Sequence, residues 1–306
     1  MASNDLTADL LADDGRLIPV YAWRPQPGNK PKAVIQIFHG LGEYAARYER
    51  FANACTQLGL AVVAHDHRGH GESAQCAGHY ADRDGWNKVI ADASRVNRKI
   101  KEDVPGVPLV LLGHSMGSYI AQSFVMRQPD SVSMLILSAS TLARRSEIRL
   151  GHTVASLLAI FGGRKKSSSL NSMGFDAFNK PFEPARTEFD WLSRDNGEVD
   201  RYIADPLCGG LFTNALWRDL TGGLLEITST DGVALVPRDL PILITGGEKD
   251  PVGGAKGMGR LADAYRQTSH RNLTLKIYEG GRHEMLNETN RDEVTADIIN
   301  WIQSRL

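Results

Sequence analysis

A serine hydroxyl stands at a sharp corner of this 306-residue chain, between a predicted strand and a predicted helix. Residues 108–112 are strand formers, Gly-His-Ser-Met-Gly follows at 113–117, and a helical pattern runs from Ser115 to Arg127. In the pattern G-x-S-x-G, the glycines give the crossing strand and helix room, and the strained turn lifts the hydroxyl clear of the sheet. A serine hydroxyl is a weak nucleophile that needs a base, and the base needs an orienting carboxylate. Ser115 is therefore predicted to be a nucleophile whose partners come from later in the chain.

The base can be chosen from the three histidines that follow the serine, His152, His270 and His283. His152 falls in an irregular stretch, and His270 precedes a predicted strand, which puts it at the wrong edge of the sheet. His283 follows the predicted strand 273–278 through a glycine-rich loop. That loop leaves the carboxyl edge, where open α/β sheets carry their sites. His283 is the predicted general base.

In α/β folds that present a serine in G-x-S-x-G, the triad follows the chain order serine, acid, histidine. The orienting acid is therefore expected on the loop after the predicted strand 241–245. This loop contains two carboxylates, Glu248 and Asp250. Asp250 is preferred because Pro251 restricts it to an extended conformation that can direct a short carboxylate toward the histidine. Glu248 stays open as the alternative acid, and a turn or helix cap is the structural alternative for Asp250.

A tetrahedral intermediate also needs donors for its negatively charged oxygen. The backbone N–H of Met116, directly after the nucleophile, is one predicted donor. The second is the backbone N–H of Leu41, in the loop after the predicted strand 33–38, where Gly40 and Gly42 allow close approach. This chemistry requires no metal ion and no cofactor.

The elements that position these residues alternate between strand and helix, which predicts a three-layer α/β fold with a mostly parallel sheet. A predicted hairpin (6–11 and 17–23) precedes this alternation. The further predicted strands are 33–38, 60–64, 108–112, 134–137, 241–245 and 273–278. The predicted helices lie near 48–58, 86–104, 115–127, 254–267 and 291–303. The alternation breaks at 141–236, which predicts an inserted cap on a catalytic domain made of residues 1–140 and 237–306.

Composition narrows the function classes. The formal net charge is -1, from 35 basic and 36 acidic residues, which argues against a nucleic-acid surface. No apolar run is long enough to span a membrane, and the N-terminus lacks the regions of a signal peptide, so we expect a cytoplasmic protein. Three cysteines without C-x-x-C spacing suggest neither a disulfide framework nor a zinc site.

Four motifs, in this order along the chain, together resemble one branch of a known superfamily. They are His-Gly-Leu-Gly-Glu-Tyr-Ala-Ala-Arg-Tyr (39–48), His-Asp-His-Arg-Gly-His-Gly-Glu-Ser (65–73), Gly-His-Ser-Met-Gly (113–117) and Gly-Gly-Arg-His-Glu-Met-Leu-Asn-Glu (280–288). The chain resembles the monoacylglycerol lipase and bacterial lysophospholipase-like branch (serine aminopeptidase S33-type domain) of the α/β hydrolases. The resemblance implies an α/β-hydrolase fold, a mostly parallel sheet with helices on both faces and an inserted cap. It implies a Ser115–Asp250–His283 triad and an oxyanion hole at Leu41 and Met116.

The resemblance also implies a substrate class. We expect a serine esterase that cleaves medium- or long-chain acyl esters through an acyl-enzyme, as a monoacylglycerol lipase or lysophospholipase does. In monoacylglycerol lipases, the glutamate and arginine of the first motif lie near the glycerol pocket, which matches Glu43 and Arg47. Leu286 occupies the position where the animal enzymes carry a polar histidine. Two alternatives stay open, a peptidase or amidase with the same triad and a non-catalytic binding protein on the same fold.

Two further patterns have competing explanations. A metal cluster could be suggested by His65, Asp66, His67, His70 and His79, but they lack metal-ligand spacing such as H-E-x-x-H, and a structural loop is preferred. Apolar residues recur at helical spacing within 154–161, followed by Arg164-Lys165-Lys166. This stripe predicts a cap helix that either packs on the main domain or lines the substrate pocket. Peripheral contact with a membrane is the further hypothesis.

Overall fold

A computed structural model describes residues 9–26 and 30–306. Seven of its strands form one sheet in the order β3-β5-β4-β6-β7-β8-β9, and β1 and β2 form a separate antiparallel pair. The strands are β1 (Leu10–Leu11), β2 (Leu17–Ile18), β3 (Val20–Trp23), β4 (Val34–Phe38), β5 (Ala61–His65), β6 (Leu109–His114), β7 (Met134–Ser138), β8 (Ile242–Gly247) and β9 (Leu273–Tyr278). All neighbours in the large sheet run parallel except β3, which runs antiparallel to β5. The predicted mostly parallel sheet is confirmed.

Helices cover both faces of this sheet. The helices are α1 (Glu49–Gln57), α2 (Gly85–Asp103), α3 (Met116–Arg127), α4 (Arg145–Gly162), α5 (Ser168–Phe175), α6 (Asn196–Ala204), α7 (Asn214–Ile227), α8 (Thr230–Ala234), α9 (Gly254–Gln267) and α10 (Arg291–Gln303). Alternate residues of β4 point to opposite faces, as a strand's period of two requires. Val34 and Phe38 belong to the core cluster that includes side chains of α2, α3 and α9, whereas Ile35 and Ile37 belong to the cluster that includes side chains of α1 and α10. The central strands β4 to β8 are buried on both faces, so their residues are mostly apolar.

The N-terminal hairpin differs from its prediction. The predicted strand 17–23 is divided at Pro19 into β2, which pairs with β1, and β3, which joins the large sheet. Proline lacks the N–H that a continuous strand would need at this point. Residues 6–8 of the first predicted strand lie outside the described residues.

The segment between β7 and β8, residues 139–241, contains α4 to α8 and is called here the inserted segment. Its helix α7 contributes Leu216, Leu220 and Ile227 to the main hydrophobic core. Helix α4 packs beside α7 and buries Ile148 and Ala155. The inserted segment is therefore attached to the main core through α7, on which α4 packs.

The apolar stripe predicted within 154–161 faces outward. Leu157, Leu158 and Phe161 expose 54%, 36% and 81% of their surface, and Ile160 exposes 75%. The expectation that this stripe packs on the main domain is wrong, because the residues that α4 buries are Ile148 and Ala155, which are not part of the stripe. Within residues 9–26 and 30–306, no helix combines the length and apolarity needed to cross a bilayer.

Candidate active site

Ser115 lies between β6 and α3 in a strained conformation, with φ 50° and ψ −119°. Positive φ is unfavourable for residues with a Cβ and persists only where the surroundings enforce it. Here the crossing is tight, since a Cβ added at Gly113 would lie 2.4 Å from the Gly117 carbonyl oxygen. The Ser115 N–H also donates to the Ser138 carbonyl at 2.9 Å. The turn therefore presents the hydroxyl at the carboxyl edge of the sheet.

His283 and Asp250 meet at the same edge, on the loops after β9 and β8. The distance from His283 Nδ1 to Asp250 Oδ1 is 2.9 Å, and the two side chains are almost fully buried. A carboxylate oxygen accepts, so Nδ1 carries the proton and Nε2 is left as the basic nitrogen. Burial alone lowers the pKa of His283, but the charge and hydrogen bond of Asp250 outweigh it and raise this pKa above its ordinary value.

The alternative acid, Glu248, is directed elsewhere. Its carboxylate accepts a hydrogen bond from the Gly280 backbone N–H at 3.1 Å and pairs with Lys249 at 3.4 Å. Asp250 also accepts from the Val252 N–H at 2.9 Å, which fixes its carboxylate beside the imidazole. Of the two candidates, Asp250 is the carboxylate that contacts His283.

The hydroxyl and the imidazole share no hydrogen bond within residues 9–26 and 30–306. The ring of His114, the residue before the serine, lies with its centroid 5.0 Å from that of His283. The Trp191 ring lies at the same centroid distance, 5.0 Å, from His283. In enzymes without substrate, catalytic hydrogen bonds are often long and shorten in the substrate complex.

The loop that carries Leu41 is fixed on its N-terminal side by His39. His39 Nδ1 donates to the Gly40 carbonyl at 2.8 Å, and His39 Nε2 accepts from the His67 backbone N–H at 3.0 Å. Burial lowers the pKa of His39 to about 3, so the ring is neutral at physiological pH. Because the peptide unit is planar, holding the Gly40 carbonyl also sets the direction of the Leu41 N–H. In the described part of the chain, the N–H groups of Leu41 and Met116 have no backbone or side-chain acceptor.

The second motif contains three histidines, and His79 follows it a few residues later. His65, His67 and His70 are buried, and burial shifts their pKa values downward. The rings of His65 and His67 lie 4.8 Å apart, and the ring of His67 lies 4.4 Å from that of His39. No group of three or more His, Cys, Asp or Glu side chains in the described residues is arranged to hold a metal ion.

A buried charge network adjoins the loop that carries Leu41. Arg47 pairs with Glu43 at 2.8 Å and forms a bidentate pair with Glu284, with both of those distances at 2.8 Å. Glu43 Oε1 also accepts from the Gly40 N–H at 2.6 Å and from the Tyr48 hydroxyl at 2.8 Å. Burial works to raise the pKa of Glu284, but the Arg47 guanidinium outweighs it and holds this pKa below its usual range. Two carboxyl groups therefore face one guanidinium in a site shielded from water.

This network borders a small pocket that is partly open to solvent. The pocket is lined by residues from the first and fourth motifs and by the residue before the serine, among them Glu43, Arg47, His114, Glu284, Leu286 and Asn287. All three side chains expected near the substrate, Glu43, Arg47 and Leu286, therefore line one pocket.

The inserted segment is bonded to the loop that carries His283. The Glu284 N–H donates to the Leu192 carbonyl at 2.8 Å, and the Arg282 guanidinium donates to the Ser193 carbonyl at 3.1 Å. Arg194 pairs with the fully buried Glu288 at 2.9 Å. These contacts hold the Trp191 ring against the imidazole.

A family model described as "Serine aminopeptidase, S33" matches residues 29–290. The chain belongs to this family. The match spans strands β4 to β9, the candidate site and the inserted segment, and it confirms the resemblance carried by the four motifs.

Individual relatives agree with the family assignment. The chain is 29% identical over 303 residues to a monoglyceride lipase of Mus musculus, covering 97% of this chain and 90% of that protein. It is 28% identical over 308 residues to a monoacylglycerol lipase of Mycolicibacterium smegmatis, covering all of both chains. A thermostable carboxyl esterase from Bacillus coagulans in complex with glycerol superposes with a TM-score of 0.90 at 27% identity, covering 97% of each chain. The predicted α/β-hydrolase fold is confirmed.

Three side chains near the site were not predicted from the sequence. Glu284 binds Arg47, Trp191 packs on His283, and the Tyr202 hydroxyl donates to the Gly42 carbonyl. A signal existed for Glu284, because it directly follows the predicted base, and a carboxylate that is buried beside it needs a cationic partner. Trp191 and Tyr202 come from the inserted segment, where sequence spacing gives no contact information.

Proposed function

We propose that this chain hydrolyses monoacylglycerols with Ser115, His283 and Asp250 as its catalytic triad. The broader prediction, a serine carboxylic ester hydrolase of the monoacylglycerol lipase type, is confirmed by the family and by the lipases and esterase among its relatives. The observation that carries the triad is the 2.9 Å contact between His283 and Asp250 at the sheet edge where the strained Ser115 stands.

In the proposed reaction, the Ser115 oxygen attacks the ester carbonyl carbon while His283 Nε2 takes the hydroxyl proton. The carbonyl oxygen becomes negatively charged and accepts hydrogen bonds from the Leu41 and Met116 N–H groups. The tetrahedral intermediate then collapses. The bond to the leaving alcohol breaks, and His283 returns the proton to that alcohol. Water attacks the acyl-enzyme in the same way and releases the fatty acid.

The charge network supports an uncharged polyol as the leaving alcohol. Hydroxyl groups can donate to the carboxylates of Glu43 and Glu284, whereas a phosphate would meet two carboxyl groups against one arginine. Leu286 gives the pocket one apolar wall. The esterase from Bacillus coagulans, whose structure contains glycerol, supports the same choice.

A substrate comparison tests this preference. With the acyl chain held constant, we expect kcat/KM for a monoacylglycerol to exceed that for the matching lysophosphatidylglycerol by about tenfold or more, which corresponds to about 1.4 kcal/mol. An aminoacyl-anilide measures the amidase alternative in the same assay. Faster cleavage of the lysophospholipid or of the anilide would contradict the proposal.

We also propose that residues 141–236 act as a cap over a catalytic domain formed by 1–140 and 237–306. Trp191 and the aromatic side chains around it support this arrangement, because they form a small cluster of their own beside the imidazole. Helix α7 is the part that anchors the cap, since its apolar side chains belong to the main core.

We propose that helix α4 of this cap contacts the surface of a lipid membrane. Leu150, Leu157, Ile160 and Phe161 expose 64%, 54%, 75% and 81% of their surfaces on one helix. An exposed apolar stripe flanked by basic residues is typical of helices that lie in the membrane interface. The flanking exposed cations are Arg149, Lys165 and Lys166.

Vesicle binding measures this contact. Replacing Ile160 and Phe161 with serine is expected to lower co-sedimentation with vesicles of phosphatidylcholine and phosphatidylglycerol by at least about tenfold, because two exposed apolar side chains no longer insert. Turnover of a water-dispersed short-chain ester should stay within about twofold. Leu11→Ser removes a similarly exposed leucine (59%) from the N-terminal hairpin and serves as the matched control. Equal binding of all three proteins would contradict lipid contact through α4.

A further inference from the structure

The carbonyl oxygen of Gly42 accepts two hydrogen bonds, and both donors belong to the inserted segment. The Tyr202 hydroxyl donates at 2.9 Å and the Gly209 backbone N–H at 2.8 Å. Tyr202 lies in α6 and is 6% exposed, so water competes little for this bond. Gly42 directly follows Leu41 and has φ 75°, a left-handed conformation that turns the chain at this point.

The two sides of Leu41 are held by different parts of the molecule. On the N-terminal side, main-domain groups hold both polar atoms of Gly40, its carbonyl by His39 and its N–H by Glu43. On the C-terminal side, the Gly42 carbonyl is held across the boundary by the inserted segment. The direction of the Leu41 N–H therefore depends on main-domain groups before it and on inserted-segment groups after it.

The contact at Gly42 is close-packed as well as hydrogen-bonded. A Cβ added at Gly42 would lie 3.1 Å from the Tyr202 hydroxyl oxygen and 3.3 Å from Phe212 Cζ. The Tyr202 ring is itself fixed, because the Arg47 guanidinium lies 5.0 Å from its centroid and the Phe189 ring 5.1 Å away. A rigid ring thus delivers the hydroxyl to a loop that has no spare room.

We propose that Tyr202 is a positioning residue for the oxyanion hole, through which the inserted segment holds the loop of Leu41 in its productive conformation. The inference rests on the proposed function, in which the Leu41 N–H stabilises the transition-state oxyanion. Tyr202 acts through Gly42 and not on the substrate, so its loss changes kcat while KM stays the same. Removing an oxyanion donor outright typically costs 10²–10³ in kcat, and loosening one costs less.

The test compares Tyr202→Phe with Tyr44→Phe. Tyr202→Phe removes the hydroxyl and keeps the ring that packs on Arg47 and Phe189. Tyr44→Phe removes another tyrosine hydroxyl that crosses the same boundary, the one bonded to Asp205 Oδ2 at 2.8 Å. Each protein is assayed for kcat and KM with one monoacylglycerol and normalised to the fraction that a fluorophosphonate labels at completion. Each is also assayed for binding of an acyl trifluoromethyl ketone, whose adduct with the serine carries an anionic oxygen.

For Tyr202→Phe we expect kcat to fall about tenfold, KM to stay within about twofold, and affinity for the ketone to fall by the same factor as kcat. Tyr44→Phe should stay within about twofold in all three quantities. A higher KM at unchanged kcat would assign Tyr202 to substrate binding and overturn the inference, and so would equal losses in both variants. If the wild type is active and Tyr202→Phe is equally active, this inference is wrong and the proposed function stands. If the wild type neither hydrolyses the ester nor binds the ketone, the proposed function is contradicted as well.

Discussion

Replacing Ser115 with alanine is expected to lower kcat for monoacylglycerol hydrolysis by at least about 10⁴-fold and to abolish labelling by a fluorophosphonate. In the proposed reaction the serine oxygen forms the covalent bond to the acyl group, and removing the nucleophile of such a triad leaves only the weak catalysis of the oxyanion hole and binding. Both quantities are measured on purified protein, by fatty-acid release and by gel fluorescence.

Ser123, inside helix α3, supplies the control. The Ser123 hydroxyl is bonded to Glu226 and accepts from the Trp86 indole, away from the proposed triad. Ser123→Ala should retain labelling and turnover within about twofold after normalisation to folded protein. Labelling that persists in Ser115→Ala would show that another residue is the nucleophile.

Asp250→Asn is expected to lower kcat by about 10⁴-fold, because an asparagine amide can donate to His283 Nδ1 and favours the tautomer whose Nε2 is protonated. The base for the serine proton would then be lost, although the side-chain shape is kept. Glu248→Gln removes a carboxylate from the same loop that does not contact the imidazole, and should stay within about twofold. A large loss in Glu248→Gln with an active Asp250→Asn would reverse the assignment of the acid.

The pH profile adds a second readout for the same pair. The proposed base acts only when neutral, so kcat/KM rises with pH as His283 loses its proton. Since Asp250 raises the pKa of His283 above its ordinary value of 6.5, the acidic limb of the wild-type profile should have its midpoint above that value. With Asp250→Asn the raising charge is gone while burial still lowers the pKa, so the limb of the residual activity should move to lower pH.

Much of the main domain could be predicted from the chain alone. The helix predicted near 254–267, the strand 273–278 and the helix near 291–303 have the predicted bounds in the structure. These elements carry unbroken apolar patterns that end at glycine or polar residues, so periodicity defines them. The loops that follow β8 and β9 were then located by topology, since parallel strands bring their carboxyl ends to one edge.

The inserted segment could not be predicted in the same way. The apolar spacing within 154–161 correctly indicated a helix, but its apolar face is exposed, because burial depends on where α7 lies. Tyr202 meets Gly42 across 160 positions, and no periodic pattern relates residues so far apart. For the acid, Pro251 already favoured Asp250 over Glu248, and in the structure Glu248 accepts from Gly280 while Asp250 contacts His283.

The proposed triad is tested most directly by a crystal structure of the protein inactivated with a long-chain alkyl phosphonate. We expect a bond from phosphorus to the Ser115 oxygen and a phosphoryl oxygen within hydrogen-bond distance of the Leu41 and Met116 nitrogens. His283 Nε2 should face the serine oxygen, with its Nδ1 still on Asp250. A phosphonate attached to a different residue, or an imidazole that remains out of hydrogen-bond reach of the serine oxygen in that adduct, would contradict it.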